Sequence, residues 1–477
     1  MMLARALCLL ALLLAGAPAN AVLDRLPGGA AIALRQAGVP ESAIGVYVHD
    51  LASDRPIMAI NPDRNLNPAS VIKLLTTYAA LDLLGPAYTW KTEAWLDGPL
   101  EAGRLQGNLV FKGYGDPKLT LEAFWLFLKD LRNRGLNQID GDVLLDRTHF
   151  SVPAHDPAEF DNEPHRPYNV GPDALLLNYK SVRLQFIPDE TARRVQIFAE
   201  PSLPQLSIVN NLALAPGNCS VWPERPSISG TTLAFAGVFP AGCGEKVKHF
   251  SLLDANEYFA TVFRQQWHAL GGTLNGTVRP AVLPVGARLF AVSQSPQLSD
   301  LIRDVNKFSN NVMARHVYLA LAGTHSPPPM TAEGAEQALR AWLSTRGFNA
   351  RGLVLDNGSG LSRSSRMSAR SLGMLLRSAW QHPLMPEYIS SLPLVAVDGT
   401  MRRRLGDSPV AGQAHIKTGY LEGVRAIAGY LNDVQGRPLA VAFLINHAGA
   451  RNAQAAQDAL LEWLYQGNAV ECCRGQR

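Results

Sequence analysis

Asn67-Pro68-Ala69-Ser70-Val71-Ile72-Lys73-Leu74-Leu75 is the stretch from which the fold can be read. After Ser70, the residues Val71, Leu74, Leu75, Tyr78, Ala79 and Leu81 keep helical spacing until Gly85-Pro86 stops it. Ser70 is thus predicted at a helix N-terminus, where unpaired N–H groups and a partial positive charge gather. Taken alone, that is the place of an ordinary N-cap. Lys73 lies almost one helical turn further on, so hydroxyl and ammonium project from neighbouring positions on one face. The pattern is S-x-x-K, a serine nucleophile with a lysine beside it. A lysine of ordinary pKa, ~10.4, must spend about 4.6 kcal/mol to become neutral at pH 7. Burial and a second nearby cation lower that cost. Lys417 is the candidate for that cation.

Two further triplets complete a set. Ser309-Asn310-Asn311 opens a helix-like segment and supplies S-x-N: its serine can pass a proton to a leaving amine, and Asn311 can bond to both Lys73 and a substrate amide. Lys417-Thr418-Gly419 lies on a predicted strand just before a strand hairpin. A strand edge can bind an extended peptide by main-chain pairing, Gly419 leaves room for it, and Lys417 with Thr418 suits a free carboxylate. Ser70 is the serine followed by Lys at the third position, Ser309 is the serine with Asn at the second, and Lys-Thr-Gly occurs once. A Ser-His-Asp site is weaker, because Gly358-Ser359-Gly360 lacks the nucleophile-elbow pattern.

Working outward, Ile44 to His49 reads as a strand, Ser53-Asp54-Arg55-Pro56 as a turn, and Ile57 to Ile60 as the hairpin partner. From about residue 91 to 287 short strands with Gly, Pro and Asn punctuation dominate, interrupted by a helix from about Leu119 to Arg134. The stretch from Val182 to Arg279 reads as almost all strand. Helical texture returns at Pro296–Ala322, Ala332–Arg346 and Ser368–Trp380. Strands follow at Ala414 to Thr418, Ala426 to Leu431 and Leu439 to Asn446, with an amphipathic helix from Asn452 to Tyr465.

With these residues in place, the chain resembles the class C low-molecular-mass penicillin-binding proteins, the D-alanyl-D-alanine carboxypeptidase/endopeptidase (DacB-type) family. Besides the triplets, the resemblance rests on Gly113-Tyr114-Gly115-Asp116-Pro117, Asn357-Gly358-Ser359-Gly360-Leu361-Ser362-Arg363, and Ser391-Leu392-Pro393 with Asp398-Gly399-Thr400. The long interval between Lys73 and Ser309 is also similar to this family, whose insertion separates two parts of one catalytic domain. The resemblance implies an α+β, β-lactamase/transpeptidase-like domain, an antiparallel sheet flanked by helices, built from residues 22–90 and 288–477. Residues 91–287 would form a β-rich insertion of two modules. It implies Ser70 as acylated nucleophile, Lys73 as base, Ser309, Asn311 and Lys417 as catalytic partners, and Thr418 and Gly419 as substrate-binding. The backbone N–H groups of Ser70 and Tyr420 would form the oxyanion hole, and Arg363 would bind the polar end of a stem-peptide side chain. Two positions depart from the family. Tyr420 stands where Ser or Thr is usual, which keeps the N–H but loses or moves a small hydroxyl. Glu422 stands where a relative carries Gln, adding negative charge.

The rest of the chain bounds this reading. Arg5, the apolar run Leu9 to Leu14 and Ala17-Pro18-Ala19-Asn20-Ala21 read as a secretory signal peptide over residues 1–21, and no later run is long enough to span a bilayer. An apolar fraction of 47% with 18% charged residues fits a large buried core rather than disorder. The net charge of +4 and the absence of a basic tract beyond Arg402-Arg403-Arg404 point away from nucleic acid. An oxidising compartment allows a Cys219–Cys243 bridge, while Cys472 and Cys473 are left open. No cysteine has His or carboxylate neighbours at metal-ligand spacing, so neither metal nor cofactor is expected. The expected protein is a periplasmic serine D,D-peptidase that cleaves D-Ala–D-X bonds of peptidoglycan stem peptides and is acylated by β-lactams, with peripheral membrane or wall-complex association compatible. Two rivals are another S-x-x-K hydrolase (a β-lactamase or D-amino-acid esterase or amidase) and a non-catalytic wall-binding or penicillin-sensing protein.

Overall fold

The structure, a computed structural model, describes residues 22–468. The leader expected over residues 1–21 and Cys472 and Cys473 lie outside the described residues. The chain groups into two compact units. One takes the residues up to Pro68, Arg366–His382 and those from Pro393 on; the other takes Ala69–Ser365 and Pro383–Leu392.

The first unit is built on a five-stranded antiparallel sheet in the order Arg55–Ile60, Ile44–Asp50, Pro438–Asn446, Val424–Asn432, Ala414–Leu421. The strand from the start of the chain therefore pairs with the last one. Ile44–Asp50 is buried along its whole length, as a strand covered on both faces must be. The helix Gly28–Gln36 meets the helix Gln454–Tyr465 so closely that a Cβ on Gly29 would stand 3.8 Å from the Ala459 methyl. Leu34, Leu460, Leu461 and Leu464 join Val46, Ile416, Ile427 and Phe443 in one core. The helix Ala369–Trp380, capped by Ser368 Oγ on Ser371 N at 3.1 Å, packs at Gly373 against the Tyr47 ring.

The second unit holds a six-stranded sheet, a five-stranded sheet and a small four-stranded one among its helices. In the five-stranded sheet Arg288–Gln294 pairs antiparallel with Lys91–Asp97. The two ends of the β-rich stretch thus lie side by side. Its core is aromatic, with Phe111 touching Phe124, Phe127, Phe259 and Phe263 at centroid distances of 5.6 to 5.8 Å. Cys219 is bonded to Cys243.

Compact grouping puts the Ser70 segment with the second unit, where sequence texture suggested a division near residue 90. The reason is packing: the helix Lys73–Leu84 lies against the helices Leu298–Lys307, Asn311–Ala320 and Ala332–Thr345 of that unit. Two elements differ from expectation. The stretch from Val182 to Arg279 is not almost all strand, because Ala255–Ala269 is a helix capped by Asp254, whose carboxylate accepts from Asn256 N at 2.7 Å and Glu257 N at 3.1 Å. The helical run Pro296–Ala322 is two helices, Leu298–Lys307 and Asn311–Ala320, parted by a link in which Ser309 has a φ of 57°.

Candidate active site

The chain enters the site through a four-residue 3-10 turn, Ala69–Ile72, that runs on into the helix Lys73–Leu84. Ser70 therefore sits one turn ahead of the α-helix rather than on its cap, while Val71, Ile72, Leu74 and Leu75 anchor the segment in the core. Ala69 is left-handed, with a φ of 45°, a conformation rare for alanine. It is crowded by Gly360, where an added Cβ would stand 2.0 Å from the Ala69 carbonyl oxygen. Only glycine can occupy that position without moving the turn.

Lys73 is fully buried. Its Nζ donates to Ser70 Oγ at 3.1 Å, to Asn311 Oδ1 at 2.7 Å and to the Ser359 carbonyl at 2.5 Å. A buried ammonium needs such acceptors, and the 3.1 Å contact is the one along which a neutral amine could take the serine proton. Asn311 is the first residue of Asn311–Ala320, and Asn310 caps that helix by accepting from Met313 N at 3.1 Å. The second unit thus brings Ser70, Lys73 and Asn311 together, with Ser309 in the link two residues before Asn311.

Sequence reasoning missed the contribution of Ser359, because its part is played by the carbonyl oxygen. The loop that carries it is held in detail. Asn357 Oδ1 accepts from Ser359 N at 3.0 Å and Oγ at 2.7 Å, Asn357 Nδ2 donates to the Leu361 carbonyl at 3.0 Å, and Thr76 Oγ1 donates to the Gly358 carbonyl at 2.7 Å. Beneath the helix, Thr77 Oγ1 donates to the Lys73 carbonyl at 2.7 Å, and Asn306 Nδ2 reaches Thr77 Oγ1 at 3.1 Å and Ser391 Oγ at 2.9 Å. Ser391-Leu392 is thereby a buttress of the Lys73 helix. Gly113-Tyr114-Gly115-Asp116-Pro117 is also structural: Gly115 N donates to the Ala174 carbonyl at 2.7 Å, and burial pushes the Asp116 carboxyl up to about 6.

In the first unit, Lys417, Thr418, Gly419 and Tyr420 lie on Ala414–Leu421, at the end of the sheet. Ile416 N donates outward, away from the sheet, to the Pro393 carbonyl at 2.8 Å. By the alternation of an antiparallel ladder, the backbone groups of Thr418 and Tyr420 face that same outer edge. Lys417 is fully buried, its Nζ donates to the Thr418 carbonyl at 2.8 Å, and burial brings its pKa down to about 7. Glu422 occupies the turn between this strand and Val424–Asn432 and is exposed. Arg363 belongs to the second unit, where its guanidinium lies 4.6 Å from the centre of the Phe160 ring. Both line a cavity of about 490 Å³ with Arg315, Asp356 and Asp156. Among the described residues no group of three or more His, Cys, Asp and Glu is placed to hold a metal ion, and no helix is long and apolar enough to cross a membrane.

Residues 30–466 match the model of a family described as the D-Ala-D-Ala carboxypeptidase 3 (S13) family. The chain is 24% identical over 416 residues to the D-alanyl-D-alanine carboxypeptidase DacB of Haemophilus influenzae, covering 86% of each. It is 27% identical over 434 residues to the D-alanyl-D-alanine carboxypeptidase of Actinomadura sp. (strain R39), covering 87% of this chain and 80% of that one. Its fold matches the crystal structure of penicillin binding protein 4 (dacB) from Haemophilus influenzae with a TM-score of 0.74 at 23% identity, over 91% of this chain and 99% of that one.

Proposed function

Because the chain belongs to the D-Ala-D-Ala carboxypeptidase 3 (S13) family and is a penicillin-binding serine D,D-peptidase, we propose that Ser70 is its acylated nucleophile and Lys73 the base. The carrying observation is the buried Lys73 Nζ, set between Ser70 Oγ, Asn311 Oδ1 and the Ser359 carbonyl.

In the proposed reaction a D-Ala–D-X bond of a peptidoglycan stem peptide is cut by acyl transfer. Neutral Lys73 takes the Ser70 proton as Oγ bonds to the penultimate D-Ala carbonyl carbon. The backbone N–H groups of Ser70 and Tyr420 hold the oxyanion. Collapse breaks the C–N bond, and the leaving amine takes the proton through Ser309. Water then attacks the ester with Lys73 as base, returns Ser70 and releases the shortened peptide. Asn311 orients Lys73 and the scissile amide, while Lys417, Thr418 and Gly419 receive the substrate's free carboxylate and strand. Arg363, braced on Phe160, binds the polar end of the stem-peptide side chain, and Glu422 adds negative charge to the substrate site. β-Lactams acylate the same serine because they present a strained amide beside a carboxylate. The domain plan of this reading is a catalytic domain from residues 22–90 and 288–477 with residues 91–287 inserted, working in the periplasm after loss of the leader.

Digestion of purified peptidoglycan by wild type and Ser70→Ala tests the assignment. Muropeptide analysis should show D-Ala release or cross-link cleavage by wild type, reduced by at least about a thousandfold in the variant. Equal profiles would refute Ser70 as nucleophile.

A further inference from the structure

Thr418 and Tyr420 are alternate residues of one strand, so their side chains rise from the same face of the sheet. A serine or threonine at position 420 would set a second small hydroxyl beside that of Thr418. Tyr420 cannot, because its oxygen is carried at the far end of a ring. That ring is exposed and lies 5.2 Å from the guanidinium of Arg425, its cross-strand partner.

A small hydroxyl nevertheless stands beside Thr418. Thr400 Oγ1 is 2.7 Å from Thr418 Oγ1, contributed by a loop fastened to the same strand. Ile416 N donates to the Pro393 carbonyl at 2.8 Å, Val395 N to the Ala414 carbonyl at 2.9 Å, and Ala396 N to the Met401 carbonyl at 3.1 Å. The Asp398 carboxylate accepts from Leu394 N at 2.9 Å, while Val395 and Met401 are buried on either side of the bend. Thr400 is exposed at the top of this braced loop. Two hydroxyls in one hydrogen bond consume one proton between them and leave the other free to donate outward. With Thr418 donating to Thr400, that free donor is the Thr400 O–H.

We infer that Thr400 is a specificity-determining residue of this chain: with Thr418 it forms a hydroxyl pair that recognises the terminal carboxylate of a D-amino-acid peptide, in place of the hydroxyl absent at position 420. The inference rests on the reading of Lys417-Thr418-Gly419 as the carboxylate edge and of Ser70 as the nucleophile.

Steady-state kinetics on two peptides ending in D-Ala-D-Ala, one with a free carboxylate and one amidated, test it. Thr400→Val should lose roughly tenfold or more in kcat/KM on the free acid, mostly through KM, with little change on the amide, as expected for a hydrogen bond to a charged group. Thr400→Ser should keep the acid preference, and Tyr420→Ser added to Thr400→Val should restore most of it. Thr400→Ala serves as a second hydroxyl deletion if the valine variant does not fold. Equal losses on acid and amide, a Thr400→Ser variant as poor as Thr400→Val, or no recovery in the double variant would each overturn the role of Thr400. A wild type that does not prefer the acid, or a preference untouched by Thr418→Val, would instead overturn the carboxylate edge itself. Peptide turnover by Ser70→Ala would overturn the nucleophile assignment.

Discussion

Lys417 is a buried lysine whose pKa burial brings down to about 7, and the sign of that shift has two consequences. Between about pH 7 and the ordinary lysine value of ~10.4, the unfolded chain holds a proton at this position that the folded chain has largely given up. The cost of burying Lys417 is therefore fully present below pH 7, and stability rises with pH across that window. In the proposed reaction carboxylate binding runs the other way, since it would need the ammonium and raise its pKa. On a free-acid D-Ala-D-Ala peptide, kcat/KM should fall as pH climbs through about 7, whereas kcat should fall at higher pH because the bound anion keeps Lys417 charged. Rate profiles from about pH 6 to about pH 9 check this, and denaturation of wild type against Lys417→Met over the same range checks the stability term. A flat kcat/KM would show that Lys417 does not supply the charge. Ser70, Lys73, Asn311 and Lys417 were legible as candidates because the proposed chemistry demands particular side chains, and the structure brings the first three together. Ser359 was not, because it offers Lys73 a carbonyl oxygen, which any residue owns. Its visible trace was the pair of flanking glycines.

Gly360 shows how one such glycine holds an element in place. Its φ is 78°, and a Cβ would stand 2.0 Å from the Ala69 oxygen in the turn that presents Ser70. Gly347 has a similar φ, 71°, but nothing within 4 Å of its absent Cβ. Alanine at either site carries the conformational cost, about 1–3 kcal/mol. Gly360→Ala must also push the Ser70 turn, and a displacement of that order costs about a hundredfold in rate. Acylation by a labelled penicillin should therefore fall about a hundredfold in Gly360→Ala and stay near wild type in Gly347→Ala. Equal rates in the two variants would mean that the Gly360 loop does not set the serine. Among the elements, the strands around Lys417 were readable as short runs joined by turns and the Ser70 helix from its apolar spacing. The helix Ala255–Ala269 was not, because Tyr258, Phe259, Thr261, Val262, Phe263 and Trp267 are residues that favour strands. Tertiary packing overrides that preference: Phe259 and Phe263, one turn apart, both meet Phe111. The usable signal was Asp254, a good N-cap three residues before Glu257.

Taken as a whole, the molecule folds from pieces far apart in sequence. Ile44–Asp50 finds its partner in Pro438–Asn446, so the first unit cannot complete its sheet until nearly the whole chain is available. The long interval between Lys73 and Ser309 suggested an insertion from sequence. Sequence could not show that Pro383–Leu392 belongs with the second unit while the residues on both sides belong with the first, since that depends on packing and not on local pattern. Leu460 is buried in a core of the first unit, and Cys243, bonded to Cys219, in a core of the second. Leu460→Ala should cost about 2–5 kcal/mol through lost burial and the cavity left behind. Replacing both Cys219 and Cys243 by alanine should cost about 3 kcal/mol by freeing the loop between them in the unfolded chain. Perturbations that share no partners add to within about 0.5 kcal/mol. The combined variant, followed by calorimetry and denaturant titration, should therefore lose the sum of the two. A loss well short of that sum would show that the two cores do not hold independently, and that strain in one is relieved through the other.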